Sequence, residues 1–70
     1  MSESSVQHLV KMANQIAANV PALTAEDRVA ATAAHLKRFW TPAMIEHLRA
    51  HLREHGEDLS PAAAAALRAL

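Results

Sequence analysis

Seventy residues, seven basic side chains against seven acidic ones and no cysteine set the limits on this chain before any motif is considered. The length predicts a single domain, residues 1–70, with a thin stability margin, because so short a chain hides only about 60% of its unfolded surface. Neutral net charge argues against gripping a phosphate backbone, the missing thiols exclude disulfides and thiolate metal sites, and no apolar run reaches the ~18 residues of a membrane span.

Of the 51% apolar residues, 17 are alanine, whereas glycine, valine and isoleucine are few. Alanine enters a helix without losing side-chain entropy. The composition therefore predicts an all-α fold, a small orthogonal bundle of three helices plus a short C-terminal fourth helix. The N-terminal stretch "MSESSVQHLVKMANQ" lacks a basic start followed by an apolar core, so no secretory signal and a cytoplasmic location are expected.

The first helix is expected over about 5–20, capped by Ser4 or Ser5 and stopped by Pro21. On a helical wheel Val6, Leu9, Val10, Met12, Ala13, Ile16, Ala17 and Val20 fill one arc, with polar residues filling the other. Thr24 opens the second helix, about 25–40, with Glu26 and Asp27 in its first turn, where carboxylates suit the free N–H groups. Its inner face is Val29, Ala33, Leu36, Phe39 and Trp40, with Thr32 in the same arc; Ala30, Ala31 and Ala34 lie opposite. Thr41-Pro42 starts the third helix, about 42–55, where Met44, Ile45, Leu48 and Leu52 make the stripe and Gly56 is expected to supply a left-handed ending. Ser60-Pro61 repeats the start signal for a helix over about 61–69, with Leu59, Ala63, Ala66, Leu67 and Leu70 on one face. A helix so short must dock or fray.

The only phenylalanine and the only tryptophan are adjacent, Phe39-Trp40, at the corner between the second and third helices. The wheel sends both toward one side. They are expected either to plug the core or to stay partly exposed as interface anchors, a role in which tryptophan is enriched. Long apolar side chains number 19, few for a self-sufficient core, so the chain is expected to borrow stability from a partner.

Little catalytic chemistry is legible. His47, His51 and His55 stack at i, i+4, i+8, but a zinc site needs a third or fourth ligand and outer support. The simpler reading is a semi-polar flank, and no metal or cofactor is expected in this chain. No nucleophile elbow, phosphate-cradling glycine loop or metalloprotease helix occurs, and Glu57-Asp58 reads as a solvated stretch ahead of the last helix. A recognition helix carries Arg, Asn or Gln near its start, and "TPAMIEHL" has none, so neither nucleic acid nor membrane is an expected partner.

Three stretches, "LVKMANQIAANV", "VAATAAHLKRFWTPAMIEHLRAHL" and "LSPAAAAALRAL", taken in order over roughly Leu9 to Leu70, resemble the delta subunit of the soluble, NAD-dependent molybdenum formate dehydrogenases. The chain departs from that pattern at Thr41, where an acidic residue often stands, and at Ala43, where a basic one does. The resemblance implies a non-catalytic accessory subunit that stabilises quaternary structure or assists maturation of the alpha subunit, which bears the molybdenum. It further implies that bis-molybdopterin guanine dinucleotide, iron–sulfur clusters and FMN are held by the partner subunits. Candidates for partner contact are Phe39, Trp40, Met44 and Leu48, with Arg38, Lys37 and Asn14 as polar contacts. The alternatives are a free-standing helical regulator or DNA-binding module, and a protein that self-associates when isolated.

Overall fold

The computed structural model describes residues 3–70. Among these, the elements in chain order are α1 (Glu3–Asn19), α2 (Ala25–Phe39), α3 (Pro42–Glu54), a short 3₁₀ turn (Gly56–Asp58) and α4 (Pro61–Ala69). Three helix starts use the side-chain caps that the sequence announces. Thr24 Oγ1 accepts from the Asp27 N–H at 3.0 Å, Thr41 Oγ1 from Met44 N–H at 3.2 Å, and Ser60 Oγ from Ala63 N–H at 3.2 Å. Each cap supplies an acceptor to a donor that the first turn leaves unpaired.

Two local expectations fail. Helix α1 begins at Glu3, so Ser4 and Ser5 lie inside its first turn rather than at a cap. Gly56 does not take the left-handed conformation. Helix α3 instead closes on His55, whose N–H donates to the His51 carbonyl at 2.7 Å, and the chain continues into the 3₁₀ turn, where Leu59 N–H reaches the Gly56 carbonyl at 3.2 Å. The chain thus turns out of α3 through i→i+3 bonds, without a positive φ.

The core gathers Val10, Ala13 and Ala17 from α1, Leu36 from α2 and Leu48 and Leu52 from α3, with Trp40 and Leu59 from the connections. Helix α4 sits at the centre. Ala63, Ala64, Ala66 and Leu67 are all buried, and α4 packs on α1, α2 and α3, most extensively on α2. Because three of those four side chains are methyl groups, neighbouring helices can approach toward the ~8 Å end of the usual interaxial range. The alanine-rich helix is thus the filler of the bundle rather than an appendage to it. The molecular surface of 4578 Å² compares with about 4,300 Å² expected for a monomer of this mass. The total exposed area is therefore close to that of an ordinary folded monomer.

Side chains lock the helix ends together. The Asn14 amide donates to the Asp58 carbonyl at 3.0 Å and accepts from the Ser60 N–H at 2.9 Å, fixing the approach to α4 against α1. His51 Nε2 meets Asp58 Oδ2 at 2.9 Å, which ties α3 to the same turn. Asp58, expected to be merely solvated, is therefore part of the joint. Arg28 reaches back from α2 to the end of α1, donating to the Ala17 carbonyl at 2.6 Å and more weakly to those of Ala18 and Val20. Its charge suits the negative end of the α1 dipole. The one buried polar residue among those described, Thr32, donates to the Arg28 carbonyl at 2.7 Å.

Gly56→Ala is expected to raise stability by about 0.4–1 kcal/mol in urea unfolding, because its φ is ordinary and a new Cβ meets Leu52 Cδ1 at a comfortable 3.7 Å. A loss instead of a gain indicates a strained, left-handed glycine. Asn14→Ala is expected to cost about 1–2 kcal/mol in the same measurement, through its two lost hydrogen bonds.

Candidate partner-docking groove

The corner between α2 and α3 separates the two aromatic rings. Helix α2 ends at Phe39, and Trp40 adopts extended backbone (φ −96°, ψ 146°) while its N–H still bonds the Leu36 carbonyl at 2.8 Å. Thr41 is extended too, as a residue before proline must be. The Trp40 side chain still falls within the inner arc, about 40° from Leu36, and turns into the core, 6% exposed. Phe39 stays on the wheel, about 60° from Leu36 at the margin of the inner arc, and is 64% exposed. A shared direction for the two rings does not occur, because adjacent residues stand about 100° apart around a helix, which puts Trp40 and Phe39 on opposite sides of Leu36.

The exposed ring is held in place. The His35 ring lies 4.8 Å from it, centroid to centroid and tilted by 45°, and the Arg38 guanidinium stands 5.4 Å from its centroid. Both contacts limit the freedom of Phe39, so less conformational entropy remains to be lost when something binds it. Next to it runs an open groove. Met12 and Ile16 of α1, with Val20 just beyond its end, form one wall, Phe39 and Met44 the other, and Trp40 lies at the base. The lining is mostly apolar and contains no Asp or Glu; its polar members are Gln15, Asn19 and His35. The two methionines can adjust to an incoming surface.

The candidates named from sequence thus divide. Phe39, Trp40 and Met44 come together around the groove, with Arg38 against the ring. Lys37 lines a different depression, on the far side of Trp40 with Ile45 and Arg49. Leu48 is fully buried and supports the corner from beneath. Asn14 is bonded within the chain at the α1–α4 joint.

Met12 and Ile16 share the apolar arc of α1, yet both are half-buried, while the deep positions of α1 are Val10, Ala13 and Ala17. The unusual width of the α1 apolar arc was the signal for a second stripe. The three α3 histidines do not converge: His51 faces Asp58, and His55 stacks on His51 at 5.0 Å and lies 3.9 Å from Glu57. Among the described residues no group of three or more His, Asp or Glu side chains is arranged to hold a metal ion. Nor is any helix among them long and apolar enough to cross a membrane.

Residues 8–67 match the protein family described as NADH-dependent formate dehydrogenase delta subunit, FdsD. No curated protein and no solved structure matches the chain.

The two rings give opposite expectations in thermal or urea unfolding of the isolated chain. Trp40→Ala should lose about 3–5 kcal/mol, whereas Phe39→Ala should stay within about 0.5 kcal/mol of the unsubstituted protein. Equal losses would place both rings in the core.

Proposed function

Because the chain belongs to the NADH-dependent formate dehydrogenase delta-subunit family, we propose that it is a non-catalytic accessory subunit that docks on the alpha subunit of that enzyme. Its work is to stabilise the quaternary structure or to assist maturation of the molybdenum-bearing subunit, in the cytoplasm. The redox groups, bis-molybdopterin guanine dinucleotide, iron–sulfur clusters and FMN, belong on this reading to the partner subunits. The observation that carries the proposal is the family match over residues 8–67. The physical character of the surface supports it. A constrained, exposed phenylalanine beside an apolar groove can exclude water at a protein seam, and nearby cations can set orientation.

Co-expression of the formate dehydrogenase subunits with and without this chain tests the proposal. The expected result is co-purification of the chain with the complex. Its omission should lower the yield of intact, molybdenum-loaded enzyme several-fold, while formate oxidation per bound molybdenum stays unchanged. Unaltered yield and loading, or a fall in turnover per molybdenum, would contradict the accessory role.

A further inference from the structure

We infer that the groove beside Phe39 receives an amphipathic helix of a partner subunit, with apolar side chains above Trp40 and a carboxylate on Arg38. This rests on the accessory-subunit reading and specifies what that surface binds.

The shape comes from α1. Met12, Ile16 and Val20 recur every four residues and form a ridge about 12 Å long, enough for roughly two turns of an opposing helix. The opposite wall is set by Phe39 and Met44, and Trp40 closes the base. No strand occurs among the described residues, so no sheet edge is offered for an extended peptide to join. A helix laid between helices, inserting side chains at i, i+4 and i+7, fits what is present.

The charge comes from the end of α2. Arg38 is exposed, lies over the Phe39 ring and makes no ion pair among the described residues. No carboxylate lines the groove. The rim therefore attracts an anionic side chain, and a guanidinium can hold a carboxylate through two parallel hydrogen bonds. A second copy of this chain fits poorly. Docking through the same face about a twofold axis offers Arg38 no carboxylate from the lining of the groove.

The test uses the full chain and the remaining formate dehydrogenase subunits, co-expressed and purified without it. Phe39→Ser should weaken binding about thirtyfold, the loss typical of an interface anchor, while the thermal melt is preserved. Arg38→Glu should weaken it about tenfold, with Arg38→Lys intermediate and Arg53→Glu, at an exposed site elsewhere, unchanged. A photo-crosslinking residue at position 39 should capture a helical partner segment that bears Asp or Glu. Failure of the unsubstituted chain to bind would overturn the accessory-subunit reading itself. Tight binding retained by every variant would overturn the groove assignment alone. A dimer in light scattering that Phe39→Ser dissociates would give the groove to a second copy and overturn it too.

Discussion

The structure depends on how closely α4 can be packed. A chain of 70 residues with few long apolar side chains cannot build its core by volume alone. It does so by proximity. Ala63, Ala64 and Ala66 leave almost no space between α4 and its neighbours, and Leu67 fills what remains. Each small side chain adds little burial of its own, but it brings many backbone and side-chain atoms of the facing helices within contact distance, where dispersion attraction accumulates. That arrangement requires α4 to enter at one angle, which the Asn14, Asp58, Ser60 and His51 contacts set.

A core completed in this way leaves apolar surface elsewhere. The outer stripe of α1 packs only partly against the core and the Phe39 ring is exposed, and both remain accessible at the corner where α2 gives way to α3. The molecule thus has two kinds of apolar surface. One is made of methyl groups and closed around α4; the other is made of Met, Ile and Phe and open. For a member of a delta-subunit family, the second is where a larger partner gains most by excluding water, since long and adaptable side chains contribute more area per contact.

The helices and three of their caps were legible in the sequence because Thr24, Thr41-Pro42 and Ser60-Pro61 are local signals, each acting within three residues. The all-α class followed from alanine propensity for the same reason. The central place of α4 was not legible, since nothing in "PAAAAALRA" says which helix will cover it. Residues that join distant segments were also missed. Arg28 and Asn14 look like ordinary surface polar residues until the fold brings carbonyls and a bare N–H beside them. At the groove, the error over Phe39 and Trp40 came from giving two adjacent residues one direction, although they stand about 100° apart around the helix and Phe39 falls at the margin of the inner arc. Gly56 misled because glycine after a helix usually marks a left-handed turn, and here the chain enters a 3₁₀ turn instead.

Amide hydrogen exchange on the isolated chain tests the central claim most directly, because it reads each helix separately. If α4 organises the bundle, the Ala64 to Leu67 amides exchange at the slowest rates in the molecule and open only with global unfolding. If those amides exchange freely while α1, α2 and α3 stay protected, α4 is a dispensable attachment and the account of the core is wrong.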